Sequence, residues 1–332
     1  MPPFPRVRAS LAAALATSFL VGSLATPAQA QSTYPDRPVK IIVPFAVGGL
    51  ADLLARTLAQ KISEQTGKSV VVDNKTGAGG LIGYEAGAKA PADGYTYVAT
   101  DVTYTMMPAL YRKLPWNPQT EQLAPVAMIA SVPFAIVVRK DAGVNTLAEW
   151  IARAKATPGK LNYGSAGVGS VNHVVSELFS GIAGIQMVNV PYRGMGEAIT
   201  GMLNNSVDVL ITALPTAVGQ VRNGNVRALA VTAAKRSSVL TDVPTTTEAG
   251  TRFVASNWIG LTAPQNTPAP VVGWMARAMS AAIATPEVRQ TYQRQGAELS
   301  DEDDPVKFGR FMYAEQQRWA EVIRTAKISA DQ

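Results

Sequence analysis

Two glycine-rich segments, each between a short apolar strand and a helix, are the part of this sequence best suited to chemistry. The first spans residues 45–49 and the second spans residues 165–170. A turn of this kind leaves backbone N–H groups pointing outward at the positive end of a helix dipole. Such groups bind an anion, for example a carboxylate, without lysine or arginine. Glycine also serves simply to make a sharp turn. It is the presence of two equivalent segments that favours a ligand site.

If both segments bind one ligand, the N–H groups of residues 45–49 hold its carboxylate, directly or through water. Residues 165–170 then cover the ligand from a second lobe and add the hydroxyl groups of two serines. The predicted binding residues in these segments are Phe45, Ala46, Val47, Gly48, Gly49, Ser165, Ala166, Gly167, Gly169 and Ser170.

Side chains beside the two segments have alternative interpretations. Asp52 lies in the first turn of a helix, where it either complements the helix dipole or meets an amine of the ligand. Arg193 and Tyr192 follow a strand, so we place them at the cleft as well. Arg193 either clamps a second carboxylate bidentately or pairs with Glu197 one helical turn later.

Groups for catalysis are scarce. The chain has no cysteine and a single histidine, His173. Neither Ser165 nor Ser170 stands in the G-x-S-x-G turn of a serine hydrolase. His173 falls in the first turn of a helix, where a positive imidazolium is disfavoured, so we interpret it as neutral and structural or lining the cleft. Clustered metal ligands are not visible. We therefore predict a protein without catalytic residues, metal or cofactor.

Strands and helices alternate along the chain. Strands at residues 39–43, 69–73 and 95–99 are separated by helices, which is the βαβαβ pattern of a parallel sheet. An irregular segment marked by Pro108, Pro115 and Pro118 follows. A strand at residues 132–139 then begins a second α/β series. The glycine run at residues 77–83 has the wrong spacing for a dinucleotide fingerprint, and we interpret it as a tight turn.

The simplest assembly of these elements is two α/β lobes joined by two crossing strands. We expect lobe 1 to contain residues 31–133 and 262–332, and lobe 2 to contain residues 134–261. Ligands of open α/β sheets bind beyond the carboxyl ends of the strands, and both glycine segments lie there.

The first 30 residues predict a cleavable signal peptide. Arg6 and Arg8 precede an apolar run, and Ala28 and Ala30 make a small-x-small cleavage site. We therefore expect an exported, periplasmic protein. The net charge of +6 is dispersed along the chain, without a basic cluster, which argues against nucleic acid and suits small anions.

At these motifs the chain resembles the Bug (Bordetella uptake gene) receptors, the substrate-binding proteins of tripartite tricarboxylate transporters. The resemblance covers nearly the whole mature chain. It is carried by residues 34–39, 43–56, 73–80, 92–95, 110–115, 158–169, 190–194, 227–232, 243–250 and 258–270.

The resemblance implies a type II periplasmic-binding-protein fold that closes around a small mono- or dicarboxylate like a flytrap. It also implies delivery of the ligand to a two-subunit inner-membrane permease by a monomeric receptor. A receptor that presents its ligand to a membrane sensor kinase is the alternative, and a hydrolase is a distant third.

Several positions depart from the family pattern. Met107 and Met195 stand where relatives place asparagine and glycine, and many relatives carry an aspartate near Thr212, the remaining predicted site residue. These changes make the cleft more apolar. We therefore expect a ligand without a charged amine. If the ligand does carry one, Asp52 is the first candidate to bind it, and Asp101 or Asp208 is the next.

Overall fold

The computed structural model describes residues 34–117, 122–300 and 303–330. The predicted signal peptide lies outside the described residues. The first half of the chain forms the predicted βαβαβ unit, in which β1 pairs in parallel with both β2 and β3. Its elements are β1 (Val39–Val43), α1 (Leu50–Thr66), β2 (Val70–Asn74), α2 (Leu81–Ala88) and β3 (Thr96–Asp101).

Helix α1 illustrates how the sequence sets these elements. Leu54, Leu58 and Ile62 repeat at helical spacing and are fully buried, so one face of the helix packs on the sheet. Gly67 ends the helix in the left-handed conformation, with φ of 67°, and its N–H donates to the Ser63 carbonyl across 3.0 Å.

The sequence predicted an irregular segment after β3. The structure instead has a helix there, α3 (Val102–Leu110). The Asp101 side chain caps it by accepting the Thr103 N–H across 2.9 Å. Val102, Met106 and Leu110 are buried along one face. The prediction was wrong because Pro108 was interpreted as a helix breaker, whereas the helix forms with its Asp101 cap and buried apolar face despite the hydrogen bond that Pro108 cannot donate.

Strand β4 (Leu123–Arg139) is twice as long as predicted, and it belongs to two sheets. Its first part pairs antiparallel with β9 (Ser256–Pro264), up to Pro133 against Ser256. From Phe134 onward it pairs antiparallel with β7 (Val209–Ala213) and β8 (Val226–Val231). The sequence prediction missed the first part because Pro125 and two shifts of register interrupt the strand pattern.

The second α/β series that the sequence predicted after residue 132 is present. Its elements and the helices that follow are α4 (Leu147–Ala156), β5 (Leu161–Ser165), α5 (Val171–Ala183), β6 (Met187–Pro191), α6 (Met195–Leu203), α7 (Leu214–Arg222), α8 (Ala269–Ile283), α9 (Pro286–Arg294) and α10 (Pro305–Thr325). Strand β5 pairs in parallel with β6 and β7, and β9 pairs antiparallel with β3, giving the strand order β2-β1-β3-β9-β4-β7-β5-β6, with β8 on β4.

Helix α10 is anchored on the strands by a buried acid. Glu315 accepts hydrogen bonds from the indole N–H groups of Trp258, across 3.3 Å, and of Trp319, across 2.8 Å. Trp258 belongs to β9, so this contact fixes the C-terminal helix against the strand shared by β3 and β4. Within the described part of the chain, none of the helices has the length and apolar character needed to span a bilayer.

Candidate ligand site

The two glycine segments fold into the same turn. In each, the N–H that precedes the helix donates across 3.2 Å to the carbonyl three residues earlier, from Gly49 to Ala46 and from Ser170 to Gly167. The third residue of each turn has a positive φ, 79° at Gly48 and 77° at Gly169. Positive φ at this position defines a type II turn and favours glycine. The two turns open helices α1 and α5.

The backbone N–H of each of these glycines donates to a side chain four residues later in the chain. Asp52 Oδ2 accepts the Gly48 N–H across 2.9 Å, and His173 Nδ1 accepts the Gly169 N–H across 3.1 Å. The sequence prediction that all N–H groups of the first turn face the ligand is therefore wrong. The N–H groups of Gly48, Gly49 and Gly169 are already bonded within the turns.

Asp52 is held by three donors and does not face the ligand cavity. Besides Gly48, it accepts Arg56 Nε and Asn74 Nδ2, each across 2.9 Å. Burial by itself raises the pKa of Asp52, but hydrogen bonds from Arg56, Gly48 and Asn74 together outweigh it and lower that pKa. These contacts argue against a ligand amine at Asp52 and show a further role that the sequence did not predict, which is to hold the first turn in shape.

His173 is neutral. Because Nδ1 accepts the Gly169 N–H, the imidazole proton belongs on Nε2. Burial lowers the pKa of His173, and the nearby Glu177 carboxylate opposes that effect only in part. Its ring holds the second turn in shape, and His173 is not among the residues that line the cavity between the two turns.

A cavity of about 630 Å³ separates the two turns. Phe45, Ala46 and Gly49 line it from the first turn, and Ala166, Gly169 and Ser170 line it from the second. Met107 and Met195, which the family pattern placed in the cleft, also line it. The other lining residues are Leu50, Ala51, Gly79, Asp101, Thr103, Leu110, Tyr111, Val168, Val171, Asn172 and Asn257.

Four helices turn their N-termini toward this cavity. The first helical residues of α1, α5 and α6 line it, as does Thr103 in the first turn of α3. Asp101 caps α3 and Ser170 caps α5, whereas no described side chain caps α1 or α6. The first N–H groups of α1, which begin at Leu50, therefore have no side-chain cap among the described residues.

Several predicted residues lie outside the cavity lining. Val47 is 71% exposed, and Gly167 takes part in the second turn only through its carbonyl. Ser165 is buried, and its hydroxyl donates to that carbonyl across 3.3 Å instead of facing a ligand. Of the two serines, only Ser170 reaches the cavity, while its Oγ also accepts the His173 N–H.

Tyr192, Arg193 and Thr212 do not reach the cavity lining either. The Tyr192 ring packs over Gly201, where no side chain would fit beside it. Arg193 is exposed, and its backbone N–H, not its guanidinium, donates to Glu197 across 3.2 Å. Thr212 is buried on β7, and its hydroxyl has no hydrogen-bond partner among the described residues.

The sequence reasoning missed the wall that α3 and β9 build. It named Asp101 only as a secondary candidate to meet a ligand amine, and it did not place Thr103, Leu110 or Tyr111 in the site because it did not predict α3. The signal was present, since an aspartate before apolar residues spaced by four is typical of a capped helix start. Asn257 lies in the wall at the start of β9, where it pairs with Val132 of β4.

Asp101 is the one charged residue among the described residues that line the cavity. It is 5% exposed, and its Oδ1 accepts both the Tyr84 hydroxyl, across 2.8 Å, and the Thr103 N–H. Burial raises the pKa of Asp101 to about 6, although these hydrogen bonds oppose the change. The wall of the cavity thus contains a carboxyl group whose charge changes with pH near 6.

The glycine turn at residues 77–83 borders the same cavity through Gly79. A Cβ at Gly83 would lie 2.7 Å from the Cα of Pro44, which follows β1. This close approach explains the glycine and confirms the interpretation as a tight turn. Across the described ranges, His, Asp and Glu side chains nowhere gather in the groups of three that would bind a metal.

Comparison with known proteins decides the family. The family model for the tripartite tricarboxylate transporter family receptor matches residues 54–328. The chain belongs to this receptor family. The resemblance inferred from the motifs is thereby confirmed.

Solved structures of relatives share the receptor fold. The periplasmic binding protein BugD is 33% identical and superposes with a TM-score of 0.76, covering 89% of this chain and 99% of its own. MatC from Rhodopseudomonas palustris, solved with bound malate, is 31% identical with a TM-score of 0.75, covering 87% and 100%. Rpa4515 from R. palustris, solved with adipate, is 34% identical with a TM-score of 0.79, covering 89% and 99%. The predicted type II periplasmic-binding-protein fold is confirmed.

Proposed function

We propose that this receptor captures an organic acid in the cavity between its two turns, with a carboxylate of the ligand at the N-terminus of α1. The observation that carries the proposal is the uncapped first turn of α1, which opens into a cavity of about 630 Å³. An anion there accepts hydrogen bonds from backbone N–H groups and is favoured by the helix dipole. The N-terminus of α5 faces the same cavity and reinforces this field.

The relatives support the ligand class. MatC was solved with malate and Rpa4515 with adipate, and both ligands are carboxylates. The cavity is lined mainly by backbone and apolar groups around these helix ends, with a few polar side chains, which is typical of a site for a small acid.

We also infer two lobes around the cavity, residues 31–133 with 262–332 and residues 134–261. In support of the first boundary, β4 exchanges β9 for β7 between Pro133 and Phe134. At the return, β9 already pairs with the first sheet from Ser256, so residues 256–261 follow lobe 1 in their pairing.

Membership of the receptor family supports the remaining steps. We infer that the chain is exported to the periplasm by its N-terminal signal and delivers its ligand to a two-subunit membrane permease. In this role the protein binds and releases its ligand unchanged and needs no catalytic residue.

A thermal-shift screen over organic acids tests ligand capture, because a ligand that binds the folded state raises the melting temperature. At a concentration of about 100 times Kd, one site adds about 2.7 kcal/mol of stability. We expect carboxylates, but not the matching amides or alcohols, to raise the melting temperature. A panel in which the neutral analogues shift it equally would refute an anion site.

Uptake into membrane vesicles that contain the permease tests delivery. We expect accumulation of the labelled acid only when the receptor is added. Accumulation that is equal without the receptor would contradict delivery, even if binding is confirmed.

A further inference from the structure

Asp101 is an unexpected residue in a cavity for carboxylates. Among the described residues that line the cavity, no lysine, arginine or histidine offsets its charge. An ionised Asp101 repels a ligand carboxylate at close range. The ligand carboxylate therefore belongs at the uncapped N-terminus of α1, and another part of the ligand faces Asp101.

The contacts of Asp101 define what that part must be. Its Oδ1 accepts the Tyr84 hydroxyl and the Thr103 N–H, and the Thr103 side chain also bonds to the carboxylate. An ionised carboxylate has about four acceptor positions, so three donors leave one available. Because Asp101 lines the cavity and is only 5% exposed, a donor on the ligand can take that position.

Asp101 also occupies the N-terminus of α3, which would otherwise be a second binding position for a ligand carboxylate. It caps α3, so the N–H of Thr103 is already bonded and this helix dipole already faces a negative charge. Asp52, the first sequence candidate to meet an amine, is taken by Gly48, Arg56 and Asn74. Asp101 is thus a better candidate than Asp52 to meet a donor group of the ligand.

We propose that Asp101 determines specificity by accepting a hydrogen bond from a donor on the ligand, a hydroxyl or an ammonium group, carried in addition to the ligand carboxylate. This inference rests on the proposed function. It revises the sequence expectation, under which the cleft excludes an amine. Burial raises the pKa of Asp101 only to about 6, so the carboxylate is mostly ionised at neutral pH and acts as an acceptor.

Calorimetry on two matched series tests the inference. The three-carbon series is propionate, lactate and alanine, and the four-carbon series is succinate, malate and aspartate. Each series differs only by hydrogen, hydroxyl or ammonium beside the carboxylate. We expect the wild-type protein to bind one donor-bearing acid at least about tenfold more tightly than its plain analogue, as a hydrogen bond to a charged group implies. Lactate or malate as the preferred ligand identifies a hydroxyl, and alanine or aspartate identifies an ammonium.

The variant Asp101→Asn keeps the helix cap and an acceptor for Tyr84 but removes the charge. We expect it to reduce the preference for the donor-bearing acid by about tenfold and to leave the plain acid bound at least as tightly. The matched control is Asp304→Asn, the same change at the cap of α10, where Asp304 Oδ1 accepts the N–H groups of Val306 and Lys307. Asp304 does not line the cavity, so this variant should retain the wild-type preference.

Several outcomes would overturn the inference. Tighter binding of the plain acids by the wild type would do so, as would an unchanged preference in Asp101→Asn. Binding of none of the six acids would also overturn it. In that case a hit from the wider acid screen would leave the proposed function standing, and the absence of any carboxylate hit would refute both.

Discussion

The backbone N–H of Gly169 donates to Nδ1 of His173 across 3.1 Å, so the single imidazole of the chain serves as an internal cap for a turn. Asp52 does the same for Gly48 in the first turn. A carboxylate and an imidazole thus fill equivalent places, and hydrogen bonds within the protein hold both turns in shape. Two rigid turns present the helix ends of α1 and α5 with little ordering cost on binding.

Replacing His173 with phenylalanine should destabilise the fold, because it leaves the N–H of Gly169 without an acceptor. An unsatisfied buried donor costs about 1 to 3 kcal/mol. His173→Asn, which places an oxygen close to the Nδ1 position, is the control and should recover most of the loss. Chemical denaturation measures both variants. Equal stabilities for Phe and Asn at this position would contradict the capping role.

The titration of His173 should appear directly in proton NMR spectra, because the chain has no other histidine. Burial lowers the pKa of His173 in the folded state. The folded state therefore binds fewer protons than the unfolded state below about pH 6.5, the ordinary pKa of histidine. This stability contribution is fully present above that pH and is lost as pH falls through the folded pKa. An imidazole that titrates above 6.5 would show that the ring is not buried in this way.

Replacing Asp101 with asparagine should stabilise the protein at pH 7 to 8. The folded pKa of about 6 exceeds the unfolded value of 3.8, so the buried charge lowers stability as pH rises through this window. A difference of about two units corresponds to about 3 kcal/mol. The gain from Asp101→Asn should shrink toward zero near pH 4, and denaturation at several pH values measures it. A gain independent of pH would exclude the carboxyl group as its source.

The positive φ of Gly48 should be essential for binding beyond its effect on stability. Gly48→Ala forces an L-residue to a φ of 79°, at a cost of about 1 to 2 kcal/mol, and displaces the start of α1. We expect affinity for the identified acid to fall by about tenfold or more. Gly67→Ala is the matched control, since Gly67 has a φ of 67° at the other end of α1. It should cost similar stability and leave affinity intact. Equal affinities for the two variants would place the anion elsewhere.

Ligand binding should bring the two lobes together, because the cavity has walls from both glycine turns. Small-angle scattering should show a smaller radius of gyration at saturation with the identified acid. The Gly48→Ala variant is the control at an acid concentration equal to the wild-type Kd, where binding about tenfold weaker should leave its radius close to that of the free protein. A constant radius in the saturated wild-type protein would contradict closure.

The sequence predicted the features that depend on local spacing. The apolar repeat of α1 and the glycines at 48 and 169 can be identified from the residues alone, because helical period and positive φ are local properties. Helix α3 was missed because Pro108 was interpreted as a break, whereas the helix contains this proline, and most of one cavity wall was missed with it. The orientation of side chains was also out of reach. Tyr192 packs on Gly201 because of the helix beside it, and nothing in the local sequence indicates that contact.

The pairing of β4 has a consequence for how the chain folds. Leu123 of β4 pairs with Pro264 of β9, and β9 is also the second neighbour of β3. The first sheet is therefore incomplete until β9, far along the chain, has paired with both strands. Closing such long loops precedes any gain from pairing and slows folding. The second sheet also uses β4. Its strands β7 and β8 therefore pair with the second half of β4 before β9 has paired with the first half. We expect assembly in one late step, so that a fragment ending before Ser256 remains unfolded.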